Sequence, residues 1–225
     1  PNAVQHLPEL RRLITAGQTN DAHLLARREF LGDPARQQAY QPFGDIRLDF
    51  PAAAAPAIRY TRELDLARAV AAVTYTEGET RFRRETFASH PAKALVTRLS
   101  ASHPGRVNVR VRLDSPHRGT TTRLEGDTLV LSGAMPGDGL RFEARLRVRV
   151  MGGSTQPDAA SLTITGADEV LLTLTAATSF RTFQDISGDP SALARRHQAA
   201  LGDTSLDRKS TRLNSSHGYI SYAVF

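Results

Sequence analysis

The sequence predicts a mainly β fold, an antiparallel β super-sandwich with an N-terminal helical insertion and the start of a C-terminal linker helix. Two observations carry this. From Asp45 to about Phe180 the dominant hydropathic period is two, the mark of strands with one dry and one wet face. Short turn signals separate these runs: Glu77-Gly78, Pro104-Gly105, Glu125-Gly126, Gly137-Asp138-Gly139, Gly152-Gly153 and Gly166-Ala167-Asp168. Mostly one-faced strands with short connections suit an antiparallel sandwich, since a parallel sheet would need helices on both faces.

The first element reads as a helix, with Leu7, Leu10, Leu13 and Ile14 on one face, Pro8 in the first turn and Gly17 as its stop. A second helix follows, capped by Thr19 or Asn20, with Leu24, Leu25 and Phe30 as its apolar stripe and Gly32-Asp33-Pro34 as its end. Tyr40 to Asp45 is a turn leading into the first strand. Strands are predicted over 46–50, 58–64, 69–76, 80–87, 94–100, 107–113, 127–131, 141–150, 161–165 and 170–175. The clearest are Val107, Val109, Val111 and Leu113 alternating with Asn108, Arg110 and Arg112, and Phe142, Ala144, Leu146, Val148 and Val150 alternating with Arg141, Glu143, Arg145, Arg147 and Arg149. In each, the polar set is expected to be wet. After a loop over 185–189, Pro190 or Ser191 starts a helix whose Leu193, His197 and Leu201 share one face.

Composition removes several function classes. No apolar run approaches the roughly 20 residues of a membrane helix, so no membrane partner is expected. Zero Cys excludes disulfides and thiolate metal sites. The charge of +6 invites a nucleic-acid reading. The basic residues are nearly all Arg, alternate with apolar residues along strands, and form no lysine-rich arm, so no nucleic-acid partner is expected. The seven His show no metal-ligand spacing. No phosphate loop is present, since Gly133 to Gly139 contains Pro136 and lacks the Lys-Ser/Thr that would follow. No cofactor and no metal are therefore expected. Ser89, His90 and Asp114 are of the right types for a catalytic triad, but Ser89 is not in a Gly-x-Ser-x-Gly elbow, and the combination is read as chance. Glu63, Asp65, Glu85 and Glu143 lie among arginines in amphipathic strands, where cross-strand charge pairing is their expected work.

From Asp207 the composition changes. Asp207-Arg208-Lys209-Ser210-Thr211-Arg212-Leu213-Asn214-Ser215-Ser216-His217 and Ile220-Ser221-Tyr222-Ala223-Val224-Phe225, flanking the dipeptide Gly218-Tyr219, resemble the translation of a short-read sequencing adapter around its index. The segment 207–225 is expected to be a non-native tail.

The remaining motifs form a collinear set: Tyr40-Gln41-Pro42-Phe43-Gly44-Asp45-Ile46, Tyr60-Thr61-Arg62-Glu63-Leu64-Asp65-Leu66, Arg84-Glu85-Thr86-Phe87-Ala88-Ser89-His90-Pro91 followed by Leu95 to Leu99, Leu113-Asp114-Ser115-Pro116-His117, and Ala176-Ala177-Thr178-Ser179-Phe180. The set resembles the N-terminal domain of glycoside hydrolase family 95, the α-L-fucosidase and α-L-galactosidase family, over about residues 7 to 203. That resemblance implies a β super-sandwich over 1–184, incomplete at its start, followed by a linker with a helix over 185–206. It implies an accessory domain of an inverting hydrolase of fucose- or galactose-containing glycans, acting in the periplasm or outside the cell. Its partner would be an (α/α)6 barrel of the same polypeptide, which holds the family's Glu acid and Asp base. No residue here matches those catalytic motifs, so no catalytic residue is assigned and the chain by itself is expected to be inactive. An incomplete sheet edge would also make the isolated chain marginal or aggregation-prone. The alternative is a free-standing carbohydrate-binding module, which needs an exposed aromatic platform. There is no Trp, and Tyr60, Tyr75 and Phe82 fall inside strand patterns. Tyr40, Gln41, Asp45 and His117, in two turns, are the candidate contacts to the barrel or to substrate.

Overall fold

Alternation and turn chemistry build a two-sheet sandwich preceded by a helical pair. The computed structural model describes residues 3–32, 41–53, 55–137 and 139–201. Two units divide the chain, one over Pro1–Pro42 and one over Phe43–Phe225.

In the first unit, α1 (Ala3–Thr15) begins a turn earlier than the sequence suggests. Pro8 is therefore inside the helix, where its ring withholds the N–H that would donate to the Val4 carbonyl. Gly17, at φ +69°, turns the chain into α2 (Thr19–Glu29). Thr19 and Asn20 do not cap α2; Gln18 occupies the N-cap position without a side-chain hydrogen bond. The helix closes at Phe30, whose N–H donates to the Ala26 carbonyl, before Gly32 is reached. Asp33 and Pro34 lie outside the described residues. Leu13, Ala22 and Leu25 are buried with Leu10 against them, whereas Ile14 and Leu24, expected in the stripe, are exposed.

The described residues of the second unit form twelve strands: β1 (Asp45–Asp49), β2 (Ala57–Asp65), β3 (Val70–Glu77), β4 (Thr80–Ser89), β5 (Ala94–Ala101), β6 (Val107–Asp114), β7 (Thr121–Glu125), β8 (Thr128–Ala134), β9 (Arg141–Met151), β10 (Ser154–Asp158), β11 (Ser161–Ala167) and β12 (Glu169–Thr178). A small sheet runs β1-β6-β11-β10 and a large one β2-β3-β4-β5-β12-β9-β8-β7, with every pairing antiparallel. The predicted strands are all present, and β7 and β10 are additional. Both are short, and neither offers a clean alternation: β10 is exposed throughout and contains Pro157 on a sheet edge, where a missing donor is tolerated.

Val107, Val109, Val111 and Leu113 of β6 point inward, as their period requires, and meet Leu129, Leu131, Leu146, Val148, Val170 and Leu172 of the large sheet. Val111, Leu129, Leu146 and Leu172 are wholly buried, each contributing about 1.5–3 kcal/mol of transfer free energy. The four-strand sheet covers only part of the eight-strand one. Its core partners come from β5, β12, β9 and β8, so β2 stays exposed along almost its whole length.

The outer face of β9 departs from the expected wet face. Glu143 and Arg145 are buried there, beneath α3 (Pro190–Ala200). Asp189 caps that helix, its side chain accepting from the N–H groups of Ser191 at 2.9 Å and Ala192 at 3.1 Å, with Pro190 in the first turn. The buried face of α3 is Pro190, Ala194 and Gln198, not Leu193, His197 and Leu201, which are half-buried at its side. A small Ala at the centre brings helix and sheet close enough for Thr175 Oγ1 to donate to the Ala194 carbonyl at 3.3 Å.

Candidate functional site: the rim at one end of the sandwich

Three of the four candidate contact residues, Gln41, Asp45 and His117, fall among the described residues, and the topology carries Asp45 and His117 to one end of the sandwich. Tyr40 lies outside the described residues. Asp45 opens β1 directly opposite Asp114, the last residue of β6, and His117 follows in the next turn. Gln41 is exposed, in the segment before β1 and in the other unit.

The rim is built around Phe142. Gly133 stands opposite it in the β8–β9 register, and the ring lies over that glycine so closely that a Cβ there would be 2.7 Å from Phe142 Cζ. Phe43 packs on Phe142 with ring centroids 4.9 Å apart, and His117 meets the same ring edge-on at 5.7 Å. Such tilted contacts match the ring quadrupoles. The backbone is pinned alongside: Ser115 Oγ donates to the Phe43 carbonyl at 2.8 Å, and Thr120 Oγ1 donates to the His117 carbonyl at 3.1 Å. A Cβ at Gly44 would fall 2.4 Å from the Asp114 carbonyl oxygen, so only glycine permits this approach.

Two carboxylates facing each other across a ladder repel. Arg47 relieves this, with Nε 2.7 Å from Asp114 and Nη2 3.5 Å from Asp45. The pattern continues along β1 and β6, where Arg112 Nε lies 2.8 Å from Asp49 and the hydrogen bond holds the Asp49 carboxyl below its ordinary range. Asp45 and Asp114 are thus surface carboxylates that share one guanidinium, with Asp114 the closer partner. Of the expected cross-strand pairs, Glu85 reaches Arg98 on β5 at 3.8 Å, whereas Glu85 with Arg83 at 2.9 Å and Glu143 with Arg145 at 3.1 Å pair along their own strands, and Asp65 pairs with Arg68 in the next turn at 3.7 Å.

Ser89 and His90 make only local contacts, Ser89 Oγ accepting from the Ala92 N–H at 3.4 Å and His90 Nε2 meeting Lys93 Nζ at 3.0 Å. Asp114 belongs to the other sheet. Among the described residues no group of three His, Asp or Glu is placed to hold a metal ion. Tyr60, Tyr75 and Phe82 do form a row across β2, β3 and β4. Their rings stack on one another at 6.4 and 5.3 Å, and Arg62 sits over Tyr60 at 5.4 Å. Arg62 covers one face of Tyr60, which remains 51% exposed.

Sequence reasoning missed Phe43, Phe142 and the buried set under α3. There Arg145 donates to Gln198 Oε1 at 2.8 Å, to Glu143 at 3.1 Å and to Glu125 at 2.6 Å, while Gln198 Nε2 donates to Thr128 Oγ1 at 3.3 Å. The available signal was Gln198 itself, two turns beyond Pro190 at i+8 with small Ala194 between them.

A sandwich of this topology has counterparts among known proteins. The family model for the glycosyl hydrolase family 65 N-terminal domain matches residues 1–182. The chain belongs to this family. The glycosyl hydrolase N-terminal domain described here is also 31% identical over 208 residues to Alpha-L-fucosidase 2 of Arabidopsis thaliana, a match covering 79% of the chain and 24% of that protein. Its fold matches that of a putative kojibiose phosphorylase from human microbiome, with a TM-score of 0.52, 13% identity, and coverage of 75% of this chain and 26% of the other. The domain spans about a quarter of the length of each.

Proposed function

We propose that this domain is the accessory N-terminal sandwich of a family 95-type inverting hydrolase acting on α-L-fucosides or α-L-galactosides outside the cytosol, and that a separate catalytic barrel of the same polypeptide performs the chemistry. The observation that carries the reading is the match of an N-terminal-domain family across 1–182 in a chain that spans only 24% of a fucosidase relative. The geometry supports it: the carboxylates at the rim are tied to Arg47, and the sheet arginines serve ion pairs. The domain's work is to present a rigid, pre-organised surface to the barrel, for which a densely packed sandwich is suited. The 31% identity to a protein named Alpha-L-fucosidase 2 favours hydrolysis of fucosides over phosphorolysis of glucosides, because the likeness to the kojibiose phosphorylase structure, at 13% identity, is one of fold.

The test is an assay of the full-length polypeptide on aryl α-L-fucoside, aryl α-L-galactoside, and kojibiose or maltose with inorganic phosphate. Release of fucose or galactose with inverted anomeric configuration is expected. Phosphate-dependent formation of glucose 1-phosphate, with no action on the fucoside or galactoside, would replace this reading with a family 65 phosphorylase.

A further inference from the structure

The large sheet has an inner face that the small sheet does not roof. Phe82 of β4 stands opposite Ala101, and Arg84 opposite Leu99, two β5 residues that pack in the core, so β4 turns these side chains toward the side where the small sheet lies. Tyr75 and Val73 of β3 continue the two rows opposite Phe82 and Arg84. On β2, Arg62 is opposite Val73, and Tyr60 stacks on Tyr75. The next row ends at Leu64, opposite Ala71 and 63% exposed. An uncovered inner face of this kind, with aromatic and aliphatic rows in water, marks a contact surface.

The small sheet ends beside this shelf. β6 lies against β5 and β8, and β11 against β9 and β7. From β10 to β1 the small sheet therefore advances in the direction that crosses the large sheet from β7 toward β2. Among the described residues β1 pairs with β6 alone, so its other edge is open. Alternate residues of an antiparallel strand aim N–H and C=O to one neighbour and the rest to the other, which leaves at least two of the five β1 residues with backbone groups on the open edge. β4, β3 and β2 offer three strand widths, about 14 Å, for continuing the small sheet past β1. The shelf also carries unmatched charge. Most arginines of the sheets serve ion pairs, but among the described residues Arg62 and Arg84 have no carboxylate within ion-pair distance, and Arg62 donates to the Tyr60 hydroxyl at 2.5 Å instead.

We infer that the open edge of β1 is a strand-addition site: a further strand of the same polypeptide, with Asp or Glu on its inward face, pairs with β1 and lies over the row of Tyr60, Tyr75 and Phe82. Three observations select this occupant. An open ladder edge beside an apolar shelf takes a strand, whose main-chain hydrogen bonds fix it and whose alternate side chains fill the shelf. Arg62 and Arg84 call for carboxylates, because a charge covered by protein without a partner is costly. The same polypeptide has the length to supply the strand, since the matched region is 24% and 26% of the two relatives. The inference needs a longer polypeptide but no particular substrate.

Hydrogen exchange of the full-length polypeptide, resolved to single amides and run at several dilutions, tests this without needing activity. All β1 amides, those aimed at β6 and those aimed away, should exchange at least about a hundredfold more slowly than in an unstructured chain, at every dilution. Exchange of the outward amides at the unstructured rate would overturn the inference. So would protection that disappears on dilution, which would assign the edge to a second copy. A bare β1 edge in a polypeptide that hydrolyses fucosides would sink the inference and leave the proposed function standing; a protected edge in a polypeptide inactive on fucosides and galactosides does the reverse. As a second reading, Arg84→Glu in the full-length polypeptide should speed exchange of the outward β1 amides about tenfold, by setting like charges against each other. Arg106→Glu, at an exposed position between β5 and β6, should leave them unchanged; equal effects of the two variants count against an acidic strand on the shelf.

Discussion

Arg145 of β9 donates through Nε to the side-chain oxygen of Gln198 in α3 at 2.8 Å, and this contact joins the last helix to the large sheet. The guanidinium is only 6% exposed and also serves the buried Glu143 and the half-buried Glu125. Burial works against its charge, and the hydrogen bonds it donates to the two carboxylates more than compensate.

Replacing Arg145 alone should therefore be severe. Arg145→Met strands Glu143 as a buried, unpaired charge, with an expected loss of about 3–5 kcal/mol in denaturant unfolding. The double variant Arg145→Met, Glu143→Leu should recover most of it, because two apolar groups can replace a buried pair at little cost. If the double variant is no more stable than the single one, the pair is not what Arg145 supports.

Acid should weaken the same seam. The Arg145 hydrogen bond, followed by that of Arg123, holds the Glu125 carboxyl below its ordinary range. A carboxyl whose folded value is depressed stabilises the fold fully above its unfolded value of about 4.3, and that stability is lost as pH falls through the lowered folded value. Unfolding free energy followed from pH 6 downward should decline below about pH 4.3, and Glu125→Gln should flatten part of that decline. Asp49, Asp158 and Asp185, also held low by their partners, account for decline that persists in the variant.

Gly44→Ala tests the rim. The added Cβ would meet the Asp114 carbonyl oxygen at 2.4 Å, so the Phe43–Gly44 segment must move off β6. A loss of about 1–3 kcal/mol is expected, together with a shift of the His117 ring resonances, since that ring packs on Phe142 beside Phe43. Unchanged His117 resonances would show the rim to be looser than described.

Asp189→Ala should cost about 1 kcal/mol by removing the acceptor for the Ser191 and Ala192 N–H groups. Asp189→Ser should retain most of it, which thermal unfolding of the two variants would show.

The sandwich was legible because β6 and β9 alternate cleanly and glycine-bearing turns separate the runs. What escaped is where tertiary context outweighs local pattern. Glu143 and Arg145 read as wet because alternation cannot say that a helix from 45 residues later will cover that face. α3 itself was rotated in the reading: its larger apolar residues, Leu193 and Leu201, suggested one face, whereas the close approach of helix and sheet selects the small Ala194 and the hydrogen-bonding Gln198. β7 and β10 were invisible because an edge strand need not be apolar. Of the rim, the two turns were found by their residue types, but Phe142 read only as one more inward residue of β9.

The role proposed for this domain is to support catalysis without performing it. The most direct measurement is the rate of aryl α-L-fucoside hydrolysis by the purified chain of 225 residues, set beside that of the full-length polypeptide at equal molarity. The chain alone should show the buffer rate and the full-length polypeptide turnover; saturable hydrolysis by the chain itself would overturn the proposed role.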